Sequence, residues 1–173
     1  MSELKPPVGP NDHTQGPLDA AIMLVEYGDY ECPYCGEAYP ELKAVQKAMG
    51  DSLCFVFRNF PLSNAHPHAE RAAEFAEAAA TIGRFWEMHD LLYENQDALD
   101  DRSLVGYATQ LGLDKALIES ALGGEFAARV RRDFTSGVRS GVNGTPSLFV
   151  NGERYDGPRD ADTLIDLFNS VSR

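Results

Sequence analysis

Basic residues are scarce in this chain: 15 Lys+Arg stand against 27 Asp+Glu in 173 residues, a formal net charge of −12. A nucleic-acid or anionic-membrane surface needs a basic footprint, so the deficit argues against both as partners. Long apolar runs are absent too, and no stretch approaches the roughly 20 apolar residues of a membrane-spanning helix. Membrane insertion is therefore not expected. The N-terminal Met1-Ser2-Glu3-Leu4-Lys5-Pro6-Pro7 lacks the apolar core and small-residue cleavage site of an export signal. That reading makes the cytoplasm the expected location; a trimmed export signal would make it the periplasm. Cysteine is sparse and odd in number, three in all, too few to staple a secreted scaffold. What remains, 43% hydrophobic and 24% charged, is ordinary globular composition. The length suits one domain with room for an insertion.

Residues 1–19 carry Pro6, Pro7, Pro10 and Pro17 and show no sustained period. They predict an extended lead-in with one short edge strand and place His13 in a mobile segment. Ala21 to Tyr27 is a continuous apolar run closed by Gly28-Asp29, too short for a typical helix, and predicts a strand buried on both faces. From Cys32 to Met49 the pattern turns helical: Pro33 suits a first turn, Leu42, Val45 and Met49 recur at helical spacing, and Pro40 predicts a kink. Leu53 to Phe57 makes a second strand, with Cys54 as a buried small side chain.

From His66 to Gly141 only helical patterns occur. Ala69, Ala72, Ala73, Ala76 and Ala80 form one apolar face, with Glu70, Glu74 and Glu77 outside it. Phe85, Met88, His89 and Leu92 form a second stripe, with His89 a satisfied polar group on a packed helix. Leu104, Ala108 and Leu111 form a third; Leu113 and Ile118 around Asp114 read as a hydrophobic staple. Phe126, Val130, Phe134 and Val138 carry a fifth helix whose solvated side holds Arg129, Arg131, Arg132 and Arg139. Strand signals return in Ser147 to Val150 and Glu153 to Tyr155 around Asn151-Gly152, a type I′ hairpin signal. A last amphipathic helix runs from Ala161 to Val171. The order is that of an α/β sheet interrupted by a helical block.

The chemistry sits in Cys32-Pro33-Tyr34-Cys35. Cys32 lies where a central strand enters a helix, and the unpaired N–H groups and dipole of a helix N-terminus lower a thiol pKa below its free value of about 8.5. Cys32 is thus the attacking sulfur. Cys35, one turn further in, is shielded and placed to resolve a mixed disulfide. A zinc site using Cys32, Cys35, His66 and His68 is one alternative reading, and an inert structural disulfide is another. Tyr30 stands beside the motif, where it could line a substrate surface. Phe85 and Trp86 fit either a groove over the site or packing of the helical block.

Val25-Glu26-Tyr27-Gly28-Asp29-Tyr30-Glu31-Cys32-Pro33-Tyr34-Cys35, with Pro40, Gly144-Thr145-Pro146 and the helical block, resembles the DsbA-like branch of the thioredoxin superfamily. The resemblance implies an α/β, thioredoxin-like fold with an inserted all-helical subdomain: a core of residues 1–65 and 142–173 and an insertion at 66–141. It implies that Pro146 is the family's cis-proline, facing the dithiol and letting the preceding backbone pair with substrate. Thr145 then adjusts reactivity and substrate contact, and Glu26 is the buried acid that relays protons for the resolving cysteine. One departure stands out: Pro33-Tyr34 is the dipeptide of glutaredoxins, and the histidine of the best-known periplasmic oxidant is missing. Tyr34 offers a hydroxyl and packing but no charge, so a weaker oxidant is expected, by analogy near the glutaredoxin range of roughly −200 to −230 mV.

The expected activity is thiol–disulfide exchange with protein dithiols and disulfides or with glutathione, recharged by a separate redox partner and needing no cofactor beyond the Cys32–Cys35 pair. A glutathione-coupled reductase is the alternative within enzymes. A metal-binding or peptide-binding module is the alternative outside them.

Overall fold

A computed structural model describes residues 2–171, so residues 1, 172 and 173 of the two expected core segments lie outside the described residues. Five strands form one sheet: β1 (His13–Gln15), β2 (Ile22–Gly28), β3 (Leu53–Asn59), β4 (Ser147–Val150) and β5 (Glu153–Tyr155). Their order is β1-β3-β2-β4-β5. Only β2 and β3 run parallel; the other pairings are antiparallel. A parallel pair needs a crossover, and α1 (Pro33–Met49) supplies it, running through Pro40 without a break.

Five helices fill the chain between β3 and β4: α2 (Ala69–Ala80), α3 (Phe85–Glu94), α4 (Asp101–Gln110), α5 (Lys115–Leu122) and α6 (Ala127–Arg139). The hairpin β4–β5 turns on Asn151 and Gly152, both at positive φ, as a type I′ turn requires. The chain ends in α7 (Ala161–Val171), which packs against α1. No helix among the described residues is long and apolar enough to cross a membrane.

Strand alternation sorts the core. Ile22, Leu24, Phe55 and Phe57 face the side of α1 and the helical block, whereas Val25, Tyr27, Cys54, Val56 and Phe149 form a second cluster on the other side. β3 is buried along its whole length. Glu26 continues the Ile22–Leu24 face and therefore points toward α1.

Several expectations need correction. Glu74 and Glu77 are buried, because α2 is surrounded by α3, α4, α5 and α6 and keeps no broad solvated face. His13 is not mobile: it belongs to β1, stacks on Phe85 at 3.7 Å, and its Nε2–H donates to both oxygens of Glu77 at 2.9 Å. Arg129 is not a solvated side chain but pairs with Asp133 and Glu77. Val138 is 56% exposed; α6 instead buries Val130, Asp133, Ser136 and Gly137. Tyr30 is buried among Phe57, His89 and Tyr93, and so lines no surface. Phe85 packs in the core, and Trp86 Nε1–H donates to the Thr14 carbonyl of β1 at 3.0 Å.

Candidate active site

The C-terminal end of β2 delivers the chain into α1, with Cys32 as N-cap and Pro33 in the first turn. Proline suits that position because its missing N–H is one that a first turn leaves unpaired anyway. The Cys32 and Cys35 sulfurs are free thiols, and both residues are buried. Between them Pro33 and Tyr34 are exposed, Tyr34 by 60%. Across from the motif, the Thr145–Pro146 peptide is cis, and the Thr145 carbonyl lies 3.6 Å from Cys32 Sγ.

The two thiols are unlike. The Cys35 thiol, hydrogen-bonding to the Cys32 sulfur, draws the Cys32 pKa down to about 5; burial opposes this, while Thr145 and the N–H groups of Cys35 and Tyr34 assist it. Cys35 is pushed well above the ordinary thiol value by burial, by its bond to Cys32, and by the charges of Glu26 and Cys32. Glu26 is 2% exposed, and its Oε2 has no hydrogen-bond partner. Burial raises its pKa to about 8; Arg159 pulls it back and Cys32 pushes it further up. One group is therefore ready to attack at neutral pH, one holds its proton, and a third can take a proton near neutrality.

The structure brings Glu26, Cys32, Cys35, Thr145 and Pro146 to one end of the sheet. It does not gather a metal site: His66 Nδ1–H donates to Asp29 Oδ2 at 2.7 Å. Among the described residues no group of three or more His, Cys, Asp or Glu side chains is placed to hold a metal ion. Cys54 is buried on the opposite face of the sheet.

Three participants are not evident from the residues alone. Asp29 Oδ1 accepts the Cys32 N–H at 3.2 Å. Gln96, between α3 and α4, donates through Nε2 to the carbonyls of Tyr30 and Cys32, each at 2.9 Å. It can do so because position 36 is glycine: a Cβ there would stand 2.0 Å from Gln96 Oε1. Arg159 helps line a cavity of about 260 Å³ beside Thr145, Pro146, Tyr155 and Arg154. The larger cavity, about 680 Å³ between the lead-in and α6, touches none of the motif.

Residues 9–169 match the family model described as thioredoxin. The chain belongs to the thioredoxin family. Among solved structures, a thioredoxin-like oxidoreductase from Silicibacter pomeroyi matches this thioredoxin-family chain with TM-score 0.81 and 25% identity, over 94% of this chain and 93% of that one. Wolbachia pipientis alpha-DsbA1 shares the fold with TM-score 0.82 at 16% identity, over 95% and 92%. The mixed sheet with its block of helices is thus the DsbA-like arrangement. A curated relative, the Na(+)/H(+) antiporter NhaA 3 of Salinispora tropica, is 45% identical over 166 residues, 94% of this chain. The chain spans about a quarter (25%) of the length of that relative.

Proposed function

We propose that this chain is a thiol–disulfide oxidoreductase of protein or small-thiol substrates, with Cys32 as nucleophile and Cys35 as resolving thiol. The observation that carries the reading is the asymmetry of the pair, Cys32 drawn down to about 5 and Cys35 held well above the usual thiol range. In the reductive direction, the Cys32 thiolate attacks one sulfur of a substrate disulfide, forms a mixed disulfide and expels the other sulfur as a thiolate. Cys35 then gives its proton to Glu26 and attacks Cys32 Sγ. The second substrate sulfur leaves as a thiolate, and the Cys32–Cys35 disulfide closes. Two electrons pass to the substrate; oxidation is the same sequence reversed. The dithiol is itself the redox group, and a separate dithiol or disulfide partner must reset it.

The cis peptide before Pro146 and the Thr145 carbonyl 3.6 Å from Cys32 Sγ support an edge at which an extended substrate segment lies across the nucleophile. Exposed Tyr34 and Pro33 form the other side of that contact. A Cys32 pKa of about 5 falls between thioredoxin (about 7) and the strongest oxidant of the superfamily (about 3.5). This supports a couple of intermediate potential, which in a cytoplasmic location would act as a reductant. The antiporter relatives favour a transport protein as one substrate class; a mixed disulfide trapped on Cys35→Ser and sequenced by mass spectrometry tests that class.

The decisive experiment is equilibration of the pair in graded glutathione buffers, with free thiols counted by alkylation and mass spectrometry. A reversible two-electron transition near roughly −200 to −230 mV is expected. A pair that never cycles overturns the reading. Full activity in Cys35→Ser would instead establish the glutathione-coupled, single-thiol route.

A further inference from the structure

Parallel pairing sets Gly28 of β2 level with Asn59 of β3, so the segments that follow, 29–32 and 60–68, leave the sheet side by side. Side chains stitch them together. Asp29, 1% exposed, accepts the N–H groups of Glu31 (2.8 Å) and Cys32 (3.2 Å) through Oδ1. Through Oδ2 it accepts the N–H of Leu62 (2.9 Å) and His66 Nδ1–H (2.7 Å). Glu31 Oε1 accepts the His68 N–H at 2.8 Å. One buried carboxylate thus orders the backbone that carries the nucleophile.

A carboxylate next to a thiolate disfavours the thiolate unless its charge is balanced. Tyr34 brings no cation to the motif. We propose that His66 is a positioning residue for the exchange reaction: bound to Asp29, its imidazolium balances that carboxylate, fixes the segment that carries the Cys32 N–H, and adds a positive charge that favours the Cys32 thiolate. The proposal rests on Cys32 being the nucleophile and deepens that reading by adding a contributor to its activation beside Cys35 and the first-turn N–H groups. The charged groups acting on His66 are Asp29, Cys32 and Glu31. Burial pulls its pKa down, but the Asp29 hydrogen bond and these three charges leave it above the ordinary 6.5.

The test uses the reduced full chain and two variants. Asn in His66→Asn can still donate to Asp29 but carries no charge; His66→Ala loses both. The Cys32 titration is read by thiolate absorbance and by the pH dependence of alkylation. In both variants the Cys32 midpoint is expected to rise above that of the parent, with alkylation near pH 5 slowed about 3–10-fold. An unchanged midpoint in either variant overturns the proposal.

Because coupling is reciprocal, the His66 ring should lose its proton at lower pH in Cys32→Ser than in the parent when followed by NMR. An unmoved ring titration overturns the proposal even if His66→Ala fails to fold. These readouts need no turnover. A pair that fails to cycle with glutathione therefore removes the proposed function while leaving the His66 result readable.

Discussion

Glu26 and Glu77 are almost equally buried, at 2% and 4% exposure, yet they have opposite fates. Glu77 lies at the centre of a filled network. His13 donates to both its oxygens, Asn59 Nδ2–H donates to one at 2.8 Å, and Arg129 Nε stands 3.5 Å away. Burial raises its pKa, but these partners outweigh burial and hold it below the ordinary carboxylate value. Glu26 has an unpartnered Oε2 and only the charge of Arg159 pulling against burial, and its pKa rises to about 8. Burial sets the cost of a charge; partners decide whether that cost is met. A fully partnered carboxylate is a structural anion, and an unpartnered one is a proton carrier. Asp133 shows the intermediate case: Arg129 and Asn59 pull its pKa down, yet burial leaves it raised.

The sharpest way to break this contrast is to remove Glu77. Glu77→Ala strands His13, Asn59 and Arg129 in the interior, and loss of one partner from a buried ionic network costs about 3–5 kcal/mol. Urea unfolding near neutral pH should show that loss, while the Cys32 titration should stay where it is. A folded-state pKa held down stabilises the fold above the unfolded value of 4.5, and that stability is lost as pH falls through the folded value. Acid should therefore cost the variant less than the parent. A Glu77→Ala protein as stable as its parent would show the network to be dispensable.

Glu26→Gln is the converse change, with a smaller effect of opposite sign. A folded pKa raised to about 8 from 4.5 means the folded state binds the extra proton, so stability falls as pH rises from about 4.5 to 8. The amide carries no such penalty. The variant should match the parent near pH 4 and exceed it by on the order of 2–4 kcal/mol at pH 8. Its resolving step, observed as decay of a mixed disulfide on Cys32, should slow about 100-fold for want of a proton acceptor. A gain independent of pH, or a resolving rate equal to the parent's, would mean that Glu26 is not ionising as the geometry requires.

The legible parts of the molecule are those whose causes are local. The apolar run of β2, Pro33 opening α1, and Asn151-Gly152 turning the hairpin are each specified within a few residues. Cys32 and Cys35 announce themselves by spacing and by the strand-to-helix junction, whereas Glu26, Thr145 and Pro146 stand out only through family resemblance. Illegible parts depend on what arrives from elsewhere. The helical pattern of α2 marks its polar face but not the burial of Glu74 and Glu77 there, because four other helices cover it. His13 finds Glu77 across 64 positions, and Asp29 finds His66 across 37. That second meeting follows from the parallel register of β2 and β3, which periodicity within either strand does not reveal.

The finest probe of the contrast is the weak partner that Glu26 does have. Arg159 is exposed, and its charge lowers the Glu26 pKa without a hydrogen bond between them. Arg159→Ala should therefore move Glu26 further above 8, so that at pH 8 a smaller fraction of the carboxylate is ionised and able to accept the Cys35 proton. The pH midpoint of the resolving step should shift upward by a few tenths, with its plateau rate unchanged. Because the Arg159 charge is exposed, salt should screen it: at about 1 M ionic strength the screening length is near 3 Å, and parent and variant profiles should coincide. A shift that survives high salt would point to a shielded contact and make Arg159 a true partner, narrowing the difference between the two carboxylates. No shift at low salt would leave Glu26 with no group that lowers its pKa, only burial and the Cys32 charge raising it, and the contrast with Glu77 would be sharper still.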